Sequence, residues 1–132
     1  MPQFVFILKY PLNNDPVAEP FDVNIFRTDQ VIVWKNIVPD TQWSTRRPIP
    51  IVFDQAWFDA GGTTPTQLEG PDGAPLWTAT GPGPSPLAIT YVYEVYLEPI
   101  NGGEEIHVTR RRKLPTGDEI LVDPDVWNQP QP

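Results

Sequence analysis

The sequence contains no cysteine, and this absence excludes several kinds of chemistry at once. Disulfide bonds, thiolate metal sites, iron–sulfur clusters and cysteine nucleophiles all require that side chain. Histidine and methionine are almost absent as well, with one residue each, His107 and Met1. Stability must therefore come from packing, and sites that need several imidazole or sulfur ligands are excluded.

Long apolar runs are missing too, since no stretch approaches the roughly 20 residues that a membrane-spanning helix requires. The first residues, Met1-Pro2-Gln3, lead into an apolar run without the cleavage pattern of a signal peptide. The sequence therefore favours a cytoplasmic protein. Eighteen prolines argue against long helices, because proline lacks an amide donor and restricts the residue before it.

Positive charge is scarce, and the formal net charge of −8 disfavours nucleic acid and anionic membranes as partners. The basic residues that exist are concentrated in two clusters, which are Arg46-Arg47 and Arg110-Arg111-Arg112-Lys113. Two interpretations stay open. The clusters can bind an acidic partner, including another copy of the chain, or they can protect an exposed strand edge from pairing.

The strongest structural signal is the alternation of apolar residues over residues 87–98. One parity of this stretch carries Leu87, Ile89, Tyr91, Tyr93, Val95 and Leu97. A period of two places these side chains on one face of a β-strand, whereas a helix would scatter them. We expect this strand at the centre of an antiparallel sheet.

Shorter strands are predicted over residues 3–10, 21–27, 31–35, 49–53, 104–113 and 119–123. In the first of them, Phe4, Phe6, Leu8 and Tyr10 share one face. Asp54 is predicted to cap a single helical turn that ends at Gly61-Gly62. Turn signals between about seven strands indicate an all-β, single-domain Greek-key β-sandwich over residues 1–123, with a small β-barrel as the alternative.

Two segments are expected to lie outside this strand pattern. Residues 61–86 are rich in glycine and proline, and they are too long for an ordinary connection. They are therefore interpreted as a functional loop or an arm that folds over the body. Residues 124–132 are expected to be an extended C-terminal tail, either loose or docked through Trp127.

Two strands resemble those of the cupredoxin-like proteins. Residues 28–36, TDQVIVWKN, resemble the family's G-D-x-V-x-W-x-N strand, with Thr28 in place of the usual glycine. Residues 91–95, YVYEV, resemble a Y-x-Y-x-C strand, with Val95 where copper-binding members have a cysteine ligand. The resemblance implies a cupredoxin-like sandwich, and an immunoglobulin-like sandwich has similar strands.

The same resemblance implies a scaffold without its copper site. Blue-copper centres use two imidazoles and a thiolate, and this chain has a single histidine and no cysteine. His107, on the outer parity of its strand, is interpreted as solvent-facing rather than catalytic. The carboxylates of Asp118, Glu119, Asp123 and Asp125 are interpreted as an acidic turn, because their spacing matches no calcium loop. We therefore expect no catalytic residues, no cofactor and no metal.

Three tryptophans outside the predicted strands join the basic clusters as candidate contact residues: Trp43, Trp77 and Trp127. Large rings with a donor nitrogen suit protein contacts or stacking on sugars. The sequence thus predicts a non-enzymatic structural or protein-interaction module that forms a homo-oligomer. The alternatives are a carbohydrate-binding module and an accessory subunit of a larger complex.

Overall fold

A computed structural model describes residues 2–12, 15–25, 30–83 and 85–129. Within these residues the chain is all-β, which confirms the predicted class and is consistent with a β-sandwich. The strands are β1 (Gln3–Leu8), β2 (Val17–Glu19), β3 (Asp22–Ile25), β4 (Val31–Asn36), β5 (Thr41–Trp43), β6 (Ile51–Phe53), β7 (Thr66–Glu69), β8 (Pro75–Thr80), β9 (Ile89–Pro99), β10 (Ile106–His107), β11 (Arg110–Lys113), β12 (Glu119–Val122) and β13 (Asp125–Asn128). The Greek-key order of the connections stays a prediction.

One sheet has five strands in the order β2-β1-β4-β8-β7. Strands β1 and β4 are parallel, and the other neighbours are antiparallel. The row through Val5, Trp34 and Trp77 crosses the three central strands. Because side chains alternate between the two faces of a strand, this row lies on the buried face.

The second sheet is built around β9, as the sequence predicts. Strands β13 and β10 pair with one edge of β9, while β6 and β5 pair with the other. Strand β3 extends this sheet by pairing parallel to β13. The predicted inner residues of β9 are buried from Tyr91 to Leu97, but Leu87 precedes the strand and Ile89 is exposed at its start.

Aromatic rings join the two sheets through the middle of the core. Trp34 of β4 meets Tyr93 of β9 edge to face, with 5.5 Å between ring centroids, and Phe53 of β6 at 5.9 Å. Phe53 in turn stacks on Trp57, with 3.9 Å between centroids. Trp34, Tyr93 and Trp57 are fully buried, so rings in edge-to-face or stacked contact occupy the middle of a core whose other residues are mostly aliphatic.

The first strand buries the face opposite to the one that the sequence pattern favours. Val5 and Ile7 are fully buried, whereas Phe4 and Phe6 lie on the outer face with substantial exposure. Val5 pairs with Trp34 on the neighbouring strand, so the large indole already occupies the space that an inward phenylalanine would need. The larger aromatic face of β1 therefore points outward.

Residues 61–83, the continuously described part of the segment 61–86, do not form one long loop or arm. They contain β7 and β8, which form a hairpin at the edge of the five-stranded sheet. Leu76, Trp77 and Ala79 of β8 are buried, and the turn between β7 and β8 is closed by Gly70 and Gly73. The glycines and prolines thus mark turns between strands, and these strands complete the sheet.

The segment expected to be a C-terminal tail contains an interior strand. Strand β13 lies between β9 and β3, and its side chains Val126 and Asn128 are buried. Trp127 points the other way and is exposed. The prediction of docking through Trp127 is therefore wrong, because the alternate residues make the inward contacts.

The predicted strand over residues 104–113 is interrupted. Its first part, β10, pairs with β9, while β11 pairs with β12 in a separate two-stranded sheet. Val108, between the two parts, is buried, as predicted. The part of the 21–27 strand after Ile25 and the first two residues of the cupredoxin-like motif, Thr28 and Asp29, lie outside the described residues.

The predicted helical turn is present as α1 (Gln55–Asp59). The side chain of Asp54 caps it by accepting a hydrogen bond from the backbone amide of Trp57. Gly61 follows with φ of 103°, a left-handed conformation that glycine adopts without strain. In the described part of the chain, no helix has the length and apolar character needed to cross a membrane.

Candidate functional site

The fold buries two of the predicted contact tryptophans and exposes the third. Trp43 and Trp77 are buried, with 7% and 8% exposure, while Trp127 is 40% exposed on the outer face of the second sheet. Trp43 also donates a hydrogen bond from Nε1 to the carbonyl of Pro75, 3.0 Å away. Trp43 and Trp77 are thus primarily core residues, and only Trp127 presents a broad ring surface.

A cleft of about 280 Å³ lies beside Trp43 and Trp77. It is lined by Trp43 and Trp77 together with Gln42, Ser44, Thr45, Arg47, Pro48, Gln67 and Pro75. Apolar ring edges beside amide and hydroxyl groups are the composition expected of a small polar-ligand site. The cleft therefore brings together one basic residue and two of the tryptophans that the sequence singles out.

The first basic cluster is engaged by neighbouring carboxylates. Arg46 Nε lies 3.3 Å from Glu98 Oε2, and Arg47 donates two hydrogen bonds to Glu105 Oε1, at 2.9 and 3.1 Å. The Arg47 guanidinium also lies 3.5 Å from the ring centroid of Tyr96, a cation–π contact. Both arginines are thus partly neutralised within the chain, which weakens their case as a docking surface.

The second basic cluster forms the strand β11. All four residues of β11, Arg110 to Lys113, are exposed. Among the described strands, β11 pairs with β12 alone and belongs to neither large sheet. We call β11, β12 and their connecting turn, residues 110–122, the basic hairpin.

Each face of the basic hairpin combines cations with an apolar side chain. Arg111 pairs across the ladder with Leu121, which is 68% exposed. Arg112 pairs in the same way with Ile120, which is 42% exposed. Arginine beside exposed aliphatic groups is a composition typical of protein interfaces.

The base of the basic hairpin contacts the body through two of its arginines. The Arg110 guanidinium lies 5.0 Å from the ring centroid of Phe21. Arg111 lies 3.5 Å from an oxygen of Asp15 and 3.8 Å from one of Glu119. These groups are well exposed, so the ion pairs contribute little individually and leave the cationic surface accessible.

A cluster that the sequence does not reveal lies beside the basic hairpin. His107 Nε2 lies 2.6 Å from Asp123 Oδ1 and 3.7 Å from Glu94 Oε2. One suitable ligand atom from each residue lies within 4.8 Å of the others. The cluster joins β9, β10 and the residue that follows β12, so it exists only in the folded chain.

A partial signal for this cluster was present in the sequence. Glu94 and His107 have outward parity on strands joined by a short turn. His107 pairs with Tyr96 in the ladder, and Tyr96 lies two residues after Glu94 on the same face of β9. Counting the hairpin register would have placed them side by side. Nothing in the pattern places Asp123, because its position depends on how the basic hairpin folds back.

Tyr96 supports the cluster from the side. Its ring stacks on the imidazole of His107 with 4.7 Å between centroids, and its hydroxyl donates a hydrogen bond to Glu94 Oε2. Burial, with the hydrogen bond to Glu94 next in importance, raises the pKa of Tyr96 to about 12. The hydroxyl is therefore a stable donor that fixes one oxygen of Glu94.

A pair of carboxyl groups lies near this cluster, on strands β13 and β3 of the second sheet. Asp125 and Asp22 are partners in the parallel ladder of β13 and β3. Burial, followed by the interaction with Asp22, raises the pKa of Asp125 to about 7. This outer face thus concentrates carboxylates, with Glu94, Asp123 and the aspartate pair on adjoining strands.

Comparison with known proteins gives no relative from which a function can be taken: no family model, no curated protein and no solved structure matches the chain. The cupredoxin-like family membership therefore stays a prediction. Val95, at the position of that family's cysteine ligand, is fully buried in the core.

Proposed function

We propose that this chain is a non-enzymatic interaction module that associates with further copies of itself through the basic hairpin. The main observation in support is that four adjacent cationic side chains are exposed on a strand outside both large sheets. The expected cytoplasmic location belongs to the same proposal.

Charge complementarity supports a second copy as the partner. Four of the nine basic residues lie in β11, so only five others oppose the seventeen acidic residues of the chain. The body outside β11 is therefore strongly acidic, while β11 is uniformly cationic. Such a surface attracts the body of another copy, and contacts between unlike surfaces lead to rings or filaments.

The exposed aliphatic groups favour docking over simple edge protection. Charged side chains alone are sufficient to prevent edge-to-edge pairing of a strand. Leu121 adds nothing to that protection, yet its side chain is among the most exposed hydrophobic groups in the described residues. An exposed apolar group beside a cation gains free energy when a partner covers it.

Light scattering coupled to size-exclusion chromatography tests the proposal at low and high salt. We expect oligomers at low salt and weaker association at high salt, because screening shortens electrostatic attraction to about 10 Å at 0.1 M. Lys113→Gln combined with Leu121→Ser should weaken self-association by roughly tenfold or more.

Matched controls are available in the segment that follows β1. Lys9 is an exposed lysine and Leu12 is a fully exposed leucine. Lys9→Gln combined with Leu12→Ser makes the same chemical changes away from the basic hairpin and should leave association unchanged. A strict monomer at high concentration in both salts, or equal loss in both variants, would contradict the proposal.

A carbohydrate-binding module is the second candidate, and the cleft beside Trp43 and Trp77 is the observation that favours it. Gln67 and Gln42 offer amide groups at its rim, where sugar hydroxyls need hydrogen-bonding partners. Quenching of tryptophan fluorescence by a panel of glycans tests this function. Saturable quenching that Gln67→Ala weakens supports it, and a flat response across the panel excludes it.

A further inference from the structure

We infer that Glu94, His107 and Asp123 form a binding site for one divalent transition-metal ion. Two carboxylate oxygens and one imidazole nitrogen, from three different segments, lie within 4.8 Å of one another. The sequence alone suggests no metal site, because the chain has a single histidine and no cysteine. The ligand set arises from tertiary structure.

The distances suit a small cation. A zinc-like ion lies about 2.0–2.2 Å from nitrogen and oxygen ligands, so its ligands are about 3–3.5 Å from each other. The two measured separations, 2.6 Å from His107 Nε2 to Asp123 Oδ1 and 3.7 Å to Glu94 Oε2, bracket that range. All three ligand atoms lie within 4.8 Å of one another, so side-chain rotations would bring them around one ion.

Neighbouring groups fix two of the three ligands. The Tyr96 hydroxyl donates to Glu94 Oε2, and the Tyr96 ring stacks on His107. Partners of this kind orient metal ligands and raise affinity. Arg47 lies nearby, but its positive charge is paired with the carboxylate of Glu105. The pairing reduces the repulsion between Arg47 and a bound cation.

The exposure of the ligands predicts the rest of the coordination shell. The side chains of His107 and Glu94 are each 40% exposed, and that of Asp123 is 26% exposed. Water can therefore complete the coordination sphere. A mixed oxygen and imidazole set selects ions such as Zn²⁺ or Mn²⁺ over calcium, which takes six to eight oxygen ligands.

The position in the chain gives the site a structural role. Two residues separate His107 from the start of the basic hairpin, and Asp123 follows its last strand directly. A bound ion would join both ends of the hairpin to Glu94 on the central strand β9. Because the ligands come together only in the folded chain, the ion would also stabilise the native state.

The single histidine makes the test specific. In a nuclear magnetic resonance titration with Zn²⁺, the imidazole signals belong to His107 alone, and they report binding whether or not the chain self-associates. We expect those signals to change to a limit at one ion per chain, with an accompanying rise in Tm. An unchanged imidazole spectrum at large zinc excess would overturn the site.

Ligand variants and matched controls complete the experiment. Asp123→Asn and Glu94→Gln should each weaken Zn²⁺ binding at least tenfold, whereas Asp118→Asn and Glu104→Gln make the same changes at exposed positions and should not. Circular dichroism establishes that each variant is folded. Zinc binding by calorimetry that survives Asp123→Asn, Glu94→Gln and His107→Gln unchanged would mean that the cluster is an ion pair only.

Discussion

Gly62 lies directly against the indole of Trp57, so that a methyl group added at Gly62 would be 2.4 Å from the ring atoms. The ring has no freedom to move away. Trp57 is fully buried, stacks on Phe53 and donates a hydrogen bond from Nε1 to the carbonyl of Thr63, 2.9 Å away. The end of α1 is therefore fixed by one close backbone approach.

Gly62→Ala should accordingly destabilise the fold by about 1–3 kcal/mol, the usual cost of overpacking a rigid site. Gly83→Ala is the matched control, because a methyl group there meets nothing within 4 Å and the backbone is not left-handed. Urea unfolding measures both free energies. Equal stabilities of the two variants would show that the contact is easily relieved.

The sequence predicts the central strand and the helical cap well because both depend on local pattern. In β9 the alternation of Tyr91, Tyr93 and Val95 is uninterrupted, and only one face satisfies it. The cap at Asp54 requires one side chain and one amide three residues on. Neither feature depends on distant parts of the chain.

The features that sequence reasoning missed depend on long-range packing. The segments of β13 and β8 look irregular on their own, and they become strands because β9 and β4 offer edges with which they pair. The Glu94, His107 and Asp123 cluster likewise requires the register of one hairpin and the return of another. Such pairings are set by the whole fold.

In β1, the buried Val5 should contribute more to stability than the larger but exposed Phe4. Val5→Ser should cost roughly 2–4 kcal/mol, because it removes buried methyl groups beside Trp34 and buries a hydroxyl. Phe4→Ser, at a residue 51% exposed, should cost below about 1 kcal/mol. Thermal unfolding of both variants measures the order, and a larger loss in Phe4→Ser would mean that the aromatic face of β1 is covered.

The interior position of β13 can be tested with two valines in neighbouring strands. Val126 is fully buried, whereas Val92, on β9 and next to β13, is 41% exposed. Val126→Ala should cost roughly 2 kcal/mol from lost burial and the cavity left behind. Val92→Ala should cost below about 1 kcal/mol. Chemical denaturation distinguishes them, and a Val126→Ala variant as stable as wild type would indicate a loosely attached C-terminal segment.

Glu98 is expected to make the stability of the fold depend on pH. Its Oε1 accepts hydrogen bonds from the amide and the hydroxyl of Thr45, at 2.9 and 2.6 Å, and from Gln42 at 3.0 Å. The hydrogen bonds from Thr45, followed by the one from Gln42, hold the pKa of Glu98 below its usual range. The ionised form is therefore favoured in the folded state more than in the unfolded chain.

A carboxyl group with a lowered pKa stabilises the fold above its unfolded pKa of about 4.3. That contribution is lost as the pH falls through the lower pKa of the folded state. Glu98→Gln should consequently lower Tm at neutral pH, and the difference from wild type should shrink as the pH falls below about 4. Glu104→Gln, at an exposed glutamate, serves as the control with little effect at either pH. A difference in Tm between Glu98→Gln and wild type that stays constant across this pH range would rule out a stabilising charge at Glu98.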